Sequence, residues 1–227
     1  MWYSYFYEIQ KKYSLRVSTK NPLVIRLDGK NATKTRKNDF INNYSGSFLN
    51  SMENCAKYFS GKYNCYALFG SDEISFIFPT PSVVIDDLDK EHCNFSQEVC
   101  SLFSQYYFDY FNLNYPAEKI FWHAKCFSIN KDKINSYLRH RSRIISNVLT
   151  TFFLIKNQSY HEEKDTLTER LDKCKKLDNY SALEDVLDGI LYYNGKRIDL
   201  NSFLDGKVVE IQSPETDTNL TIDLLDF

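Results

Sequence analysis

The chain has 227 residues, 43% of them apolar, and a formal net charge of −2 at pH 7. This combination predicts a globular protein with a substantial core and excludes a disordered or fibrous chain. The charge argues against a protein built as one large basic surface for nucleic acid, although it permits a local basic stripe. No apolar run approaches the ~18 residues of a membrane span, and the N-terminus lacks a signal-peptide pattern, so we expect no membrane partner.

The first strong pattern is a short apolar run, residues 23–27, which ends at Asp28-Gly29 and predicts a buried strand followed by a turn. Residues 30–43 are polar. Apolar side chains then recur at helical spacing, at Tyr44, Phe48, Met52, Cys55 and Phe59. Residues 65–78 form two strand-like runs joined by Gly70-Ser71-Asp72-Glu73, which predicts a hairpin that Pro79 ends.

Later patterns predict an acidic loop at 82–94, a helix at 95–113, a strand at 120–129, a long helix at 131–153, shorter helices at 166–176 and 181–188, and strand-like pieces at 190–200 and 207–212. The order of elements predicts an α+β fold. Its first part fits a four-stranded antiparallel sheet in the ferredoxin-like βαββαβ order, with two helices on one face and extra C-terminal helices. We expect a catalytic core at 1–130 and a helical and small-strand part at 131–227 packed on it.

The six cysteines are scattered, and no two stand two or three residues apart. This spacing argues against a zinc knuckle or a redox pair. Several fall in apolar runs, as buried reduced thiols do. We therefore expect a reducing, cytoplasmic compartment.

Two acidic positions at strand ends indicate a metal site. The split βαβ order places the first strand beside the hairpin, so we expect Asp28 and Asp72 to be neighbours across strands. Mg²⁺ takes one or two carboxylates, and two such ions can bind the attacking and leaving oxygens of a phosphoryl transfer. The carbonyl of Gly29 is a candidate third ligand. The backbone N–H groups of Lys30, Asn31, Ala32 and Thr33 can form an anion nest for a triphosphate.

Both motifs also have a structural interpretation, because Asp-Gly is a common turn dipeptide and Ser71-Asp72-Glu73 is a polar hairpin tip. Their joint position after buried strands favours the metal site. Adjacent strand residues point to opposite faces, so we expect Asp72 to be the ligand and Glu73 a secondary contact.

The long helix places Arg141 on its apolar stripe, between Leu138 and Ile145. A buried guanidinium needs an anionic partner, which could be a carboxylate or a phosphate of nucleotide or RNA. Arg139 and Arg143 lie four residues apart on a neighbouring face, where a solvated surface and a phosphate contact are both open.

Two stretches, Val24-Ile-Arg-Leu-Asp-Gly-Lys-Asn31 and Phe69-Gly-Ser-Asp-Glu-Ile-Ser-Phe-Ile-Phe78, resemble motifs of the tRNA-His guanylyltransferase family. The resemblance continues more weakly through 137–141, 190–194 and 205–209, so it spans nearly the whole chain. This family comprises 3′–5′ nucleotide-adding enzymes with a polymerase-like palm. The chain is identified as a divergent member.

The resemblance implies a nucleotidyltransferase that adds nucleotides to the 5′ end of RNA, with tRNA as the expected partner and GTP and ATP as substrates. It implies two Mg²⁺ ions bound by Asp28, Gly29 and Asp72, with Glu73 close by, so the expected catalytic residues are Asp28, Asp72 and Glu73. Lys30 to Thr33 and Ser71 would bind the nucleotide, and Arg139, Arg141 and Arg143 would contact phosphate. Relatives are typically dimers or tetramers, so we expect a homo-oligomer.

The chain departs from the family pattern outside the metal motifs. Ala32 stands where an aromatic residue is usual, and a Lys-Pro-x-Asp pattern is replaced near residues 42–45. A Trp-Arg-Gln-x-Asp helix motif becomes His140-Arg-Ser-Arg-Ile144, which keeps only Arg141. Strict tRNA-His specificity is therefore not predicted, and two alternatives stay open: a palm-type nucleotide cyclase or oligonucleotide-signal synthetase, and a non-catalytic RNA- or nucleotide-binding relative.

Overall fold

The computed structural model describes residues 20–29, 47–80, 101, 103–105, 121–157 and 165–207. Its strands are β1 (Leu23–Gly29), β2 (Tyr66–Gly70), β3 (Glu73–Phe78), β4 (Trp122–Ser128), β5 (Ile190–Tyr193) and β6 (Lys196–Ile198). Its helices are α1 (Ser47–Tyr63), α2 (Ile134–Lys156), α3 (Leu167–Cys174), α4 (Tyr180–Glu184) and α5 (Leu200–Leu204). A 3₁₀ turn at Lys131–Lys133 leads into α2, and residues 101 and 103–105 are also helical.

All six strands form one antiparallel sheet in the order β4-β1-β3-β2-β5-β6. The first four positions follow the ferredoxin-like order, so the predicted α+β architecture is confirmed, and β1 lies beside β3 as expected. The sequence predicted four strands in this sheet. Two more join it, because the β5–β6 hairpin pairs with the edge that β2 would otherwise leave open, through Tyr66 to Phe69.

The sheet is covered on both faces, and alternation along β1 shows how. Leu23, Ile25 and Leu27 pack with α1 in one apolar cluster, whereas Val24 packs with α2 in another. Because successive strand side chains point to opposite faces, a strand that is apolar at both sets of positions needs two covering layers. The apolar run of β1 therefore reflects a strand buried between helices.

The face of the sheet that α1 covers also carries the described residues of a second helical segment. Phe48, Met52, Cys55 and Phe59 of α1 are buried at spacings of three and four, as the sequence pattern predicted. Phe103, from the second helical segment, lies edge-on to Trp122, with ring centroids 4.8 Å apart, and 5.7 Å from Phe59. Both segments therefore contribute to the same aromatic core.

The opposite face is covered by α2. Its buried stripe is largely apolar and includes Leu138, Ile145, Leu149 and Phe153, with Arg141 inside it. The predicted helix over 131–153 thus forms. None of the helices within the described ranges has the length and apolar character to cross a membrane.

Several predicted elements fall wholly or mostly outside the described residues: a helix within 1–20, the polar stretch 30–43, the acidic loop 82–94 and the strand at 207–212. Tyr44 and most of the 95–113 helix do so as well. The division into parts at 1–130 and 131–227 stays a prediction.

Candidate active site

The end of β1 and the β2–β3 turn meet at one edge of the sheet. The backbone N–H of Gly29 donates a hydrogen bond to the carbonyl oxygen of Asp72, at 3.0 Å, and Asp28 pairs in register with Glu73. The structure thus brings the two acidic motifs together although more than forty residues separate them in the sequence. This contact follows from the sheet order, because β3 lies directly against β1.

The turn itself consists of Ser71 and Asp72. Ser71 is buried and has a φ angle of 54°, a left-handed conformation that residues other than glycine seldom adopt. Its hydroxyl donates to Oδ1 of Asp72 at 3.3 Å. Asp72 is half-buried. A strained conformation held by surrounding packing is a feature that clusters at functional sites, and here it belongs to the residue before the predicted ligand.

Asp28 lies on the face of the sheet that α2 covers, with 48% of its side chain exposed. Nη2 of Arg26 is 3.9 Å from its Oδ2 atom. Arg26 is largely buried, and its Nε atom has no hydrogen-bond partner. A guanidinium in this position leaves donor capacity near the carboxylate.

Sequence reasoning did not single out Arg26. The sequence did contain a signal for it. Arg26 is a charged residue inside an apolar strand, and because it stands two positions before Asp28 it must lie on the same face of the sheet as Asp28.

Glu73 and Arg141 form a buried ion pair, with 9% and 7% of their side chains exposed. Nε of Arg141 donates to Oε1 of Glu73 at 2.8 Å, and Nη2 donates to Oε2. Burial lowers the pKa of Arg141, but the hydrogen bonds and charge of Glu73 outweigh this and hold the pKa above its ordinary value. The sequence left a carboxylate and a phosphate as possible partners of Arg141, and in the structure its partner is the carboxylate of Glu73.

The other residues predicted to bind nucleotide or phosphate are not among those that meet at this edge in the described part of the chain. Lys30, Asn31, Ala32 and Thr33 lie outside the described residues, directly after Gly29. Arg139 donates to the carbonyl of Leu204 at 3.3 Å and lies 3.4 Å from Asp205, at the end of α5. Arg143 is exposed. His123 and Lys125 are exposed on β4, in register with Asp28 and Arg26 respectively.

The donor set at this edge fits Mg²⁺. Among the described residues, no group of three or more histidine, cysteine, aspartate or glutamate side chains is placed to hold a metal. A site built on Asp28 and Asp72 therefore needs other oxygen ligands, and Mg²⁺ commonly takes these from backbone, water and phosphate. Both oxygens of Glu73 are already bound to Arg141, which leaves the two aspartates as the carboxylates that could take part.

A cleft of about 720 Å³ opens on the other side of the turn, where Gly70 and Ser71 form part of its lining. Five carboxylates line it, against one arginine: Glu53, Glu184, Asp185, Asp188, Asp199 and Arg197. Such a surface repels polyphosphate. We therefore expect a triphosphate to bind on the Asp28 side of the turn and not in this cleft.

The family model for Thg1, described as tRNAHis guanylyltransferase, matches residues 3–176. The chain belongs to the Thg1 family. The predicted membership is confirmed, and with it the enzyme class, since this is a family of nucleotidyltransferases. No curated protein sequence matches the chain significantly.

Solved structures of the family share the fold. A bacterial Thg1-like protein in complex with ATP superposes with a TM-score of 0.70 at 13% identity, over 94% of this chain and 93% of that one. A bacterial Thg1-like protein in complex with GTP gives 0.59 at 13% identity, over 71% and 80%. The tRNA(His) guanylyltransferase of Saccharomyces cerevisiae gives 0.64 at 18% identity, over 85% and 93%. These likenesses confirm the predicted palm-type fold.

Proposed function

We propose that the chain is a Mg²⁺-dependent nucleotidyltransferase that adds nucleotides in the 3′–5′ direction to the 5′ end of RNA, with tRNA as the substrate class. The family supports the reaction class, and the names of its solved relatives support ATP or GTP as the nucleotide. The observation that carries the proposal to this chain is the hydrogen bond from Gly29 to Asp72, since it joins the two acidic motifs at one sheet edge.

In this proposal Asp28, Gly29 and Asp72 hold two Mg²⁺ ions. When bound, the ions would neutralise phosphate charge and activate the attacking hydroxyl. The residues of the chain supply position and charge around them. The backbone of Lys30 to Thr33 would bind the triphosphate, and Ser71 would shape the turn beside it.

Exposed basic side chains on α2 and β4 are the proposed contacts for the RNA backbone. Arg139 and Arg143 on α2 are solvent-facing, as are His123 and Lys125 on β4. Arginine suits phosphate because its planar fork can donate two parallel hydrogen bonds. Arg141 is buried and paired with Glu73, so we no longer assign it to phosphate.

We also propose a homo-oligomer, a dimer or a tetramer, and a cytoplasmic location. Among the described residues, the cysteines at 55, 65, 126 and 174 form no disulfide bond, which suits a reducing compartment.

The test replaces Asp28 or Asp72 by asparagine, which removes the charge with little change in shape. Purified protein is incubated with tRNA, Mg²⁺ and a labelled nucleoside triphosphate, and the label at the RNA 5′ end is measured. We expect each variant to lose more than about 100-fold in rate, because mutating even the outer shell of a metal site commonly costs 10–100-fold.

The matched control is Asp132→Asn, an exposed carboxylate at the start of the turn before α2, which should label tRNA like the wild type. Retained activity in both Asp28→Asn and Asp72→Asn would refute the proposed site. Product formed from nucleoside triphosphates without RNA would indicate a cyclase or signal synthetase instead.

A further inference from the structure

Two polar contacts connect α2 to β3, the strand that follows the Ser71-Asp72 turn. The guanidinium of Arg141 binds both carboxylate oxygens of Glu73. One helical turn earlier, the hydroxyl of Tyr137 shares a hydrogen bond of 2.9 Å with the hydroxyl of Ser75. All four residues are buried or nearly so. We call them the α2–β3 clamp.

The spacing of the clamp residues explains why both contacts form at once. Glu73 and Ser75 are two apart on one face of a strand, which separates them by about 6.6–6.8 Å. Tyr137 and Arg141 are four apart on a helix, which separates them by about 6 Å along its axis. A helix that runs alongside β3 can therefore satisfy both pairs. Two contacts fix the position of the strand along the helix, which one contact alone would not do.

The clamp reaches the proposed metal site through the chain itself. Glu73 directly follows Asp72, whose carbonyl oxygen accepts the hydrogen bond from Gly29. Glu73 also pairs in register with Asp28. A shift of Glu73 relative to α2 would therefore displace Asp72 from β1.

From these contacts we infer that Arg141 is a positioning residue, which holds Glu73 so that Asp72 stays beside Asp28 in the geometry that binds metal. The inference rests on the proposed function, because it assumes that the two aspartates bind metal. It changes the role of Glu73 from a catalytic acid to the anchor of the turn.

Two other roles make different predictions. If Glu73 were itself a metal ligand, an apolar replacement of the pair could not restore metal binding. If Arg141 bound substrate phosphate, its loss would raise the KM for nucleotide or RNA and leave metal affinity unchanged. The inferred role predicts a change in metal affinity that a matched apolar pair reverses, because well-packed apolar residues can substitute for a buried ion pair.

The experiment measures the affinity for Mn²⁺, a spectroscopic probe for the Mg²⁺ site, by electron paramagnetic resonance in the presence of ATP. We expect Arg141→Met to weaken Mn²⁺ binding about tenfold, within the 10–100-fold range of outer-shell changes, and to raise the Mg²⁺ concentration for half-maximal tRNA labelling in parallel. Arg141→Lys should recover part of the affinity. The double variant Glu73→Leu with Arg141→Met should return to within about threefold of the wild type.

The matched control is Arg170→Met. Arg170 is an equally buried arginine, on α3, and donates hydrogen bonds to Asn147, near the middle of α2, and to the carbonyl of Asp165. Its replacement should lower the melting temperature and leave Mn²⁺ affinity unchanged.

If the Arg141 variants fail to fold, Tyr137→Phe tests the same clamp, because it deletes only the hydroxyl that contacts Ser75. We expect it to weaken Mn²⁺ binding two- to threefold.

The outcomes separate the two proposals. Wild-type protein that binds no Mn²⁺ overturns the metal site and the clamp together. If the wild type binds Mn²⁺, and Tyr137→Phe and every folded Arg141 variant retain that binding, the clamp alone is overturned. A double variant that folds and binds no Mn²⁺ also overturns it, and indicates that Glu73 is itself a metal ligand.

Discussion

Gly70 is the last residue of β2, directly before the Ser71-Asp72 turn, and its replacement by alanine is the sharpest test of how tightly this turn is packed. A Cβ atom at Gly70 would lie 2.4 Å from Cγ2 of Ile145 on α2, and 3.1 Å and 3.2 Å from Cδ1 and Cγ1. The backbone of Gly70 is not in the left-handed region, so alanine is allowed conformationally. The expected effect is therefore one of packing between β2 and α2.

The magnitude follows from the overlap. Ordinary carbon contacts begin at 3.4 Å, so Ile145 or the strand must move by roughly 1 Å. Overpacking of a close-packed core typically costs about 1–3 kcal/mol. Alanine returns about 0.4–1 kcal/mol by restricting the unfolded chain. We expect a net loss of about 1–2 kcal/mol, which lowers the melting temperature by about 2–8 °C for a chain of this length.

The assay is thermal or urea unfolding followed by circular dichroism, with tRNA labelling measured in parallel. Ile145→Leu in the Gly70→Ala background moves the branching methyl away from Cβ, and should restore at least half of the lost stability. Gly61→Ala is the matched control, because a Cβ there meets its nearest atom at 3.5 Å and the residue lies in α1, where alanine is favoured. A Gly70→Ala protein as stable as the wild type would refute the packing described for this turn.

Two further predictions concern stability and chemistry away from the site. Hydrogen bonds from the backbone and hydroxyl of Thr166 lower the pKa of Glu169 in the capping box of α3, so this box contributes stability above the ordinary glutamate pKa and loses it as the pH falls through the lowered value. Thr166→Ala should therefore lower the melting temperature at neutral pH and have a smaller effect in acid; an equal effect at both would contradict the argument. Burial raises the pKa of Cys174 to about 11 and raises the pKa values of Cys55 and Cys65 well above the ordinary thiol value, so iodoacetamide at about pH 8 should spare all three in the native protein. Half-buried Cys126 should react before them in peptide mass spectrometry, and alkylation of Cys55 as fast as in urea would count against its burial.

The contact between the acidic motifs could be predicted from the sequence because local rules determine it. The apolar run of β1 and the hairpin around Ser71-Asp72 are both short-range patterns, and the split βαβ order then places β1 against β3. The Gly29–Asp72 hydrogen bond follows from this placement and from no specific interaction of the two aspartates. Topology alone therefore predicted which residues meet.

The partner of Arg141 could not be predicted in the same way. A buried guanidinium requires an anion, but a carboxylate 68 residues away and a substrate phosphate satisfy that requirement equally well. Choosing between these two partners requires knowing which face of β3 is covered by α2. Likewise, the pairing of β5 with β2 depends on which sheet edge stays open, and the short apolar runs at 190–193 and 66–69 contain no information about that edge.

The position of Arg141 in the structure also explains why this chain departs from the family motif at some positions and not at others. It is the residue that this chain keeps from the Trp-Arg-Gln-x-Asp helix motif, whose other positions now hold His140, Ser142 and Ile144. It is also a residue through which α2 binds β3, directly after the Ser71-Asp72 turn. A residue that only contacted tRNA would have no reason to be buried and ion-paired inside the protein. Retention of Arg141 together with Asp28 and Asp72 is what we expect if the clamp serves the reaction itself, and the altered neighbours serve the choice of RNA.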